Sequence, residues 1–166
     1  LIVYAASGSQ LFQSSDGGTS FKRLTNFVTA ANIVCLATTP QDSNRVWVGL
    51  DDGTVQRSTN ALSGVTSAWS APANQPGPSV RASGVAINPS NKDEIVVVYG
   101  GGGAQKRVLL TSNSGATPWQ DITGSIDPNL VLNSVVIDST TTPATIVVAS
   151  VGGVLITKDK GANWNI

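Results

Sequence analysis

Apolar residues recur along this chain in short runs rich in Val and Ile, and the runs are separated by clusters of Gly, Asn, Asp, Ser and Pro. β-Branched residues favour strands, whereas the separating residues favour turns. No segment places apolar residues at the spacing that one face of a helix requires. The pattern therefore predicts an all-β chain of short strands joined by tight turns.

The apolar runs repeat at an interval of roughly 45 to 50 residues, which is typical of a propeller blade. The segments "CLATTP", "GVAINP" and "SVVIDS" align with one another, and "RVWVGL", "EIVVVYG" and "TIVVAS" form a second aligned set. Each unit then contains three strands and a short fourth strand. Blades of four antiparallel strands predict a β-propeller. We expect about four blades, covering residues 1–30, 31–79, 80–129 and 130–166.

The first strand of each repeat alternates bulky and small residues. Successive strand residues point to opposite faces of a sheet, so each of these strands has a bulky face and a small face. Neighbouring blades can then pack bulky side chains against small ones. The bulky positions include Leu36, Val85 and Val135, and the small ones include Cys35, Gly84 and Ser134. In this arrangement Cys35 is expected to be a buried core thiol.

The chain starts within a second strand, because "LIVYAAS" aligns with "RVWVGL". The first blade is therefore expected to lack its innermost strand, and the last blade to have a very short outer strand. Propellers close with four to eight blades, and an open arc leaves strand edges unpaired. We expect the chain to be part of a larger propeller, with the remaining blades in the same or another chain.

A short motif follows the third strand of each repeat. The copies "TKDKGANW" and "SSDGGTSF" place a hydroxyl, an acid, a glycine and an aromatic residue at fixed offsets. The acid or amide can accept hydrogen bonds from its own turn, the glycine can supply a positive φ, and the aromatic residue is expected to anchor the turn on the blade. The motif positions are Ser14, Asp16, Gly18 and Phe21; Ser58, Asn60 and Trp69; Thr111, Asn113, Gly115 and Trp119; and Thr157, Asp159, Gly161 and Trp164.

This motif resembles the Asp box, also called the bacterial neuraminidase repeat. Sialidases, xyloglucanase-type glycoside hydrolases, sortilin-like receptors and a photosystem assembly factor carry it on propeller blades. Phrases such as "GVAINPSNKDEIVVV" look much like bacterial secreted members. The resemblance covers essentially the whole chain and implies a secreted or cell-surface propeller in which the motif residues are structural. It leaves hydrolases, receptors and scaffolds open as functions.

The composition argues against several classes of function. The net charge is zero and only 12% of the residues are charged, whereas nucleic-acid binding requires a clustered excess of Lys and Arg. The chain has no His and one Cys, so it cannot form a histidine metal site, a Ser-His-Asp triad, an internal disulfide or a zinc cluster. No apolar run reaches the roughly 18 residues that cross a bilayer. We therefore expect no metal, no cofactor, no nucleic-acid partner and no membrane span.

Ligand sites in the resembling families usually lie on the face that carries the second-to-third hairpins and the connectors between blades. On that face we predict ligand contacts from Asp51, Asp52, Arg81 and Gln105. The two aspartates could supply the paired carboxylates of a glycoside hydrolase, but Asp-Asp-Gly is also an ordinary hairpin turn. A sialidase needs three convergent arginines, a Tyr-Glu pair and an acid, and the only Glu in this chain is Glu94. We assign no catalytic residue.

Two functions remain from the sequence. The first is a non-catalytic secreted or surface propeller that serves as a binding or structural module for a carbohydrate or a protein. The alternative is a fragment of a xyloglucanase-like or sialidase-like glycoside hydrolase whose catalytic set is completed outside this chain.

Overall fold

The computed structural model describes residues 1–101, 103 and 106–165. These residues form four antiparallel sheets, each built from consecutive strands, and a 3-10 helical segment at Ala61–Thr66. Sheet 1 contains β1 (Val3–Ser7), β2 (Gln10–Ser14) and β3 (Lys22–Arg23), and sheet 2 contains β4 (Ile33–Thr38), β5 (Val46–Leu50) and β6 (Val55–Ser58). Sheet 3 contains β7 (Ala82–Asn88), β8 (Asn91–Tyr99), β9 (Val108–Thr111) and β10 (Gln120–Asp121), and sheet 4 contains β11 (Leu132–Asp138), β12 (Thr145–Ser150) and β13 (Gly153–Thr157). The predicted all-β propeller fold is confirmed.

The apolar core lies between the sheets, as expected for propeller blades that stack face to face. One cluster joins sheets 1 and 2 through Leu11 and Val48, and a second joins sheets 2 and 3 through Trp47 and Val97. A third cluster joins sheets 3 and 4. Since each cluster draws buried residues from two neighbouring sheets, the arc is held together by burial between blades.

The first strands of sheets 2, 3 and 4 pack side by side, with β7 between β4 and β11. Gly84 on β7 comes so close to sheet 4 that a Cβ at this position would lie 3.0 Å from the Cα of Ser134. On the opposite face of β7, Val85 and Ile87 join the cluster that contains Trp47. Small residues on one face and bulky residues on the other therefore let neighbouring blades approach closely, in the arrangement that the alternation predicts.

The number of strands per sheet differs from the expected four. Only sheet 3 has four strands among the described residues. In sheet 2 the fourth strand is reduced to a bridge between Arg57 and Ser70, because the 3-10 segment occupies the preceding residues. Sheet 4 ends in a similar bridge between Ile156 and Asn165. Because the outer strands are short, the outer edge of each blade consists mainly of the turn that follows the third strand.

Sheet 1 begins with the strand that is second in the other sheets. Val3 pairs with Ser14 in the way that Val46 pairs with Ser58 and Ile95 pairs with Thr111. The register therefore makes β1 the equivalent of β5, β8 and β12. In the part of the chain that the structure describes, no helix is long and apolar enough to cross a membrane.

Candidate functional site

One surface of the arc, the connector face, is formed by the hairpins between second and third strands and by the connectors between sheets. The hairpin after β5 packs on the connector that leads into β7. The hydroxyl of Tyr99 donates a hydrogen bond of 3.1 Å to the carbonyl oxygen of Gly53, and a Cβ at Gly53 would overlap the carbonyl oxygen of Pro78. Gly53 has a φ of 88°, which suits glycine because it has no Cβ. This contact fixes the Asp51-Asp52-Gly53 turn beside the start of sheet 3.

Asp51 is bound to the connector between sheets 1 and 2. Its carboxylate accepts a 2.9 Å hydrogen bond from the backbone N–H of Asn32 and a 2.7 Å bond from the Nδ2 of the same residue. These two bonds, with a smaller contribution from the charge of Arg81, lower the pKa of Asp51 below its usual value. Asp51 is therefore an ionised side chain that links a hairpin to a connector.

Asp52 makes a different set of contacts. Its Oδ1 accepts hydrogen bonds from the backbone N–H and the hydroxyl of Thr54, at 2.9 and 2.7 Å. Both partners belong to the turn itself, whereas Asp51 binds Asn32 in the preceding connector. Each carboxylate therefore stabilises its own segment of backbone. These contacts are those of the hairpin turn that the Asp-Asp-Gly sequence predicts.

A cleft of about 270 Å³ opens next to Arg81, between sheets 3 and 4. Arg81 and Asn133 are exposed at its rim, and no described residue accepts a hydrogen bond from the guanidinium. The cleft is lined by Arg81, Ser83, Gly100, Gly101, Val131, Leu132 and Asn133. Of the four residues predicted to bind a ligand, only Arg81 lines this cleft. Asp51 binds Asn32, Asp52 binds its own turn, and Gln105 lies outside the described residues.

Arg107 holds the wall of this cleft, a role that the sequence did not indicate. Its side chain is buried and donates hydrogen bonds to the carbonyl oxygens of Leu130, Ile126 and Asp127, at 2.6, 3.0 and 2.8 Å. These carbonyls belong to the connector that runs into Val131 and β11. In the sequence, Arg107 can be recognised only as an arginine directly before an apolar strand. Its hydrogen-bond partners are backbone carbonyls, which the residue types do not reveal.

The opposite surface, the turn-motif face, carries the motifs that follow the third strands. In the fourth copy, the hydroxyl of Thr157 donates to Asp159 Oδ1 at 2.7 Å and accepts from the N–H of Gly161 at 2.9 Å. Asp159 also accepts from the N–H and Nδ2 of Asn163, at 2.9 and 2.7 Å. These bonds, with those from Asn163 contributing most, lower the pKa of Asp159 to about 2. Gly161 has a φ of 86°.

The first and third copies use the same geometry with different partners. Asp16 accepts from the N–H and hydroxyl of Ser20, at 2.9 and 2.7 Å, and hydrogen bonding from Ser14 and Ser20 lowers the pKa of Asp16 well below its usual value. In the third copy Asn113 Nδ2 donates instead, to the Thr117 hydroxyl at 2.8 Å. A hydroxyl four residues after the acid or amide can serve either side chain, because a hydroxyl can donate or accept.

The tryptophans of the third and fourth copies bind the preceding blade, whereas Trp69 Nε1 in the second copy donates to the hydroxyl of Ser67 in its own turn at 2.8 Å. Trp119 Nε1 donates to the Asn74 carbonyl oxygen at 2.9 Å, and Trp164 Nε1 donates to the Ile122 carbonyl oxygen at 2.9 Å. Phe21, the aromatic residue of the first copy, is 43% exposed.

Two ion pairs and the thiol of Cys35 also join neighbouring blades. Arg45 pairs with Asp93 at 3.2 Å between sheets 2 and 3, and Lys160 pairs with Glu94 at 3.4 Å between sheets 4 and 3. Cys35, which is half-buried, donates from Sγ to the carbonyl oxygen of Ala82, and burial raises its pKa to about 11. Across the described residues, no group of three or more acidic or Cys side chains has an arrangement that could hold a metal ion.

Comparison with known proteins identifies the fold. No family model and no curated protein matches the chain. Among similar solved structures, an ancestral GH74 enzyme is 23% identical over 98% of the chain with a TM-score of 0.71. A GH74 enzyme from Niastella koreensis is 19% identical over 94% with a TM-score of 0.70, and the GH74 xyloglucanase from Xanthomonas campestris is 16% identical over 99% with a TM-score of 0.70. The chain spans 22%, 25% and 28% of these three proteins, so it has the fold of about a quarter of a GH74 protein.

Proposed function

We propose that this chain is a non-catalytic module of a secreted or cell-surface β-propeller, and that it binds a carbohydrate in the cleft beside Arg81. The observation that carries the proposal is the contrast on the connector face. Asp51 and Asp52 are occupied by Asn32 and Thr54, whereas the neighbouring cleft presents exposed polar groups.

The lining of the cleft suits a polyhydroxylated ligand. The Arg81 guanidinium supplies several donors, and the Asn133 carboxamide supplies both donors and an acceptor. Ser83 lies beside these two side chains, and Val131 adds apolar surface. Ligand sites commonly combine such apolar surface with a few polar groups that fix orientation. Because one structural neighbour is named a xyloglucanase, xyloglucan is the first ligand to test.

The state of the carboxylates supports a role without catalysis. Glycoside hydrolysis needs two carboxyl groups about 5 to 5.5 Å apart for retention, or about 6.5 to 9.5 Å apart for inversion. One of them must stay protonated and therefore have a raised pKa. The pKa of Asp51 is lowered, which is opposite to what a general acid requires.

The binding proposal is tested by affinity electrophoresis in native gels that contain xyloglucan. We expect the chain to be retarded, and Arg81→Ala and Asn133→Ala each to weaken binding at least fivefold. Arg23→Ala, on the exposed strand β3 of sheet 1, is the matched control and should bind normally. Equal retardation of all variants, or none in xyloglucan and other β-glucans, would contradict the proposal.

A second candidate function is favoured by the likeness to GH74 enzymes along the whole chain. In this case the chain is part of a glycoside hydrolase whose catalytic set is completed outside it. Neither candidate predicts release of reducing sugars from xyloglucan by residues 1–166 alone, so the assay is made on a complete propeller that contains these residues. No turnover there favours the non-catalytic module, whereas turnover that Asp51→Asn or Asp52→Asn abolishes favours the hydrolase.

A further inference from the structure

A cavity of about 390 Å³ opens on the turn-motif face, between sheets 3 and 4. One wall is formed by the turn between β7 and β8, and the other by the turn between β11 and β12. Lys160 of the fourth turn motif also lines the cavity. Its walls therefore come from two neighbouring blades, on the surface opposite the cleft beside Arg81.

Glu94 brings a buried carboxylate to this cavity. The residue is only 8% exposed. Its Oε1 accepts a 2.7 Å hydrogen bond from Asn88 Nδ2, whereas its Oε2 lies 3.4 Å from Lys160 Nζ, longer than the roughly 2.7 to 2.9 Å of a strong charged hydrogen bond. A carboxylate has about four acceptor positions, and the described residues use two of them. Glu94 can therefore accept further hydrogen bonds from a ligand in the cavity.

The corresponding place between sheets 2 and 3 is occupied by an ion pair. The strand registers place Arg45 in sheet 2 where sheet 3 has Glu94. The Arg45 guanidinium reaches across the junction to Asp93 at 3.2 Å and to the hydroxyl of Ser114 at 3.4 Å. In sheet 4 the position of Asp93 is taken by Ala144. This small side chain leaves space opposite Glu94 that a ligand can fill.

The turn motif directs a charged side chain to the same cavity. Lys160 has a φ of 56°, and the first copy has Gly17 at this position, with a φ of 75°. Residues with a Cβ rarely adopt such values. In the third copy the residue at this position is Ser114, also with a φ of 56°, and its hydroxyl contacts Arg45 across the other junction. Side chains at this position therefore reach across the junction, and the Lys160 ammonium, which is 43% exposed with its side chain, can donate to a ligand.

We propose that this cavity binds one sugar ring of a neutral carbohydrate. The two walls are rich in hydroxyl groups, which can donate as well as accept hydrogen bonds. They belong to Ser90, Ser139, Thr141 and Thr142. The charges of Glu94 and Lys160 cancel, so the cavity has no net charge to favour a free ion. Pro143 and Ala144 add apolar surface, and ligand sites combine such surface with a few polar groups.

The test is an NMR titration of the isotope-labelled chain with the methyl glycosides of glucose, galactose, mannose and xylose. We expect at least one glycoside to shift the amide signals of Ser90, Thr141 and Lys160 in a saturable way. If no glycoside shifts them, or if arginine or citrate does so and no glycoside does, the proposal is overturned. Arg81→Ala should leave these shifts unchanged, because Arg81 lies on the opposite face. The result is therefore separate from that for the connector-face cleft.

A matched pair of variants tests the role of the buried carboxylate. Glu94→Gln keeps the shape of the side chain and should weaken glycoside binding at least tenfold, because it removes the charged acceptor. Asp93→Asn changes the adjacent carboxylate, which pairs with Arg45 outside the cavity, and should bind normally. Equal binding by the two variants would overturn the proposal.

A second pair tests the location of binding without changing a charge. Thr142→Trp places a large side chain at the exposed rim of the cavity and should weaken glycoside binding at least tenfold. Thr140→Trp changes an exposed threonine of the same turn that does not line the cavity and should bind normally. The amide spectrum of each variant without glycoside checks that the fold is retained. Normal binding by Thr142→Trp would place the site elsewhere and overturn the proposal.

Discussion

The indole nitrogen of Trp119 lies 2.9 Å from the carbonyl oxygen of Asn74, in the connector between sheets 2 and 3. The Trp119 ring also meets Trp47 of sheet 2 edge to face, with ring centroids 5.9 Å apart. Trp164 makes the equivalent hydrogen bond to Ile122, one blade later. In the third and fourth copies, the tryptophan of the turn motif thus connects its own blade to the one before it.

Trp119→Phe should lower the free energy of unfolding by about 1 kcal/mol, the typical net value of a hydrogen bond. A smaller aromatic ring remains, the Asn74 carbonyl loses its donor, and any lost packing of the larger indole adds to this value. Urea denaturation measures the change, and Trp164→Phe should give a similar loss. Phe21→Leu is the control, because Phe21 is 43% exposed, and it should change stability less. A Trp119→Phe chain as stable as the wild type would show that the hydrogen bond is energetically neutral.

The loss of folding stability at acidic pH should depend on Asp159. Its pKa is about 2 in the folded chain and about 3.9 in an unfolded one. Because this pKa is lower in the folded chain, the unfolded chain binds the proton more readily. The ionised Asp159 therefore stabilises the fold fully above about pH 5, and this stabilisation disappears as the pH falls through about 2. Asp159→Asn should lower Tm at pH 7, and the difference from wild type should narrow toward pH 2. A difference that is constant with pH would contradict this.

A second substitution should rescue that variant. In Asp159→Asn the new Nδ2 faces the Nδ2 of Asn163, so two donors oppose each other until the Asn163 carboxamide turns to present its oxygen. The third motif avoids this by pairing Asn113 with the Thr117 hydroxyl. Asp159→Asn with Asn163→Thr should therefore recover part of the lost Tm at pH 7, measured by circular dichroism. Asn163→Thr alone is the control. If the double variant is no more stable than Asp159→Asn, the pairing rule is wrong.

Gly84→Ala should destabilise the junction between sheets 3 and 4 by about 1 to 3 kcal/mol, the usual cost of overpacking. The new methyl group would lie 2.9 Å from Val98 Cγ2 and 3.0 Å from the Cα of Ser134. Ser134→Ala is the matched control, since Ser134 is exposed at the equivalent position of sheet 4 and should stay within about 0.5 kcal/mol of wild type. Urea denaturation tests both, and equal stability of the two variants would argue against close packing here.

Arg107→Met should lower the free energy of unfolding by about 2 to 4 kcal/mol, because three connector carbonyls lose a charged donor. Arg107→Lys should lose less, since a single ammonium replaces part of the hydrogen bonding. Arg23→Met, at an exposed arginine, serves as the control. Hydrogen exchange should become faster along residues 126–133 in Arg107→Met, and unchanged exchange there would contradict the role of this side chain.

The sequence by itself determined the features that depend on local chemistry. The period of two within strands, the repeat of the apolar runs and the turn residues at Asp16, Asn113 and Asp159 predict the sheets and the motif hydrogen bonds. The small residue Gly84 indicated close packing of blades. These features could be predicted because each arises from a segment of a few residues, whose conformational preferences act wherever the segment lies.

The tertiary structure alone decided which distant segments meet. Asp51 binds Asn32 rather than a ligand-facing partner, Arg107 holds three backbone carbonyls, and Trp119 reaches the preceding connector while Phe21 stays exposed. Backbone carbonyls occur at every residue, so no sequence pattern marks the ones that become partners. Their selection follows from the stacking of one sheet on the next, because only stacking brings these groups within hydrogen-bonding distance.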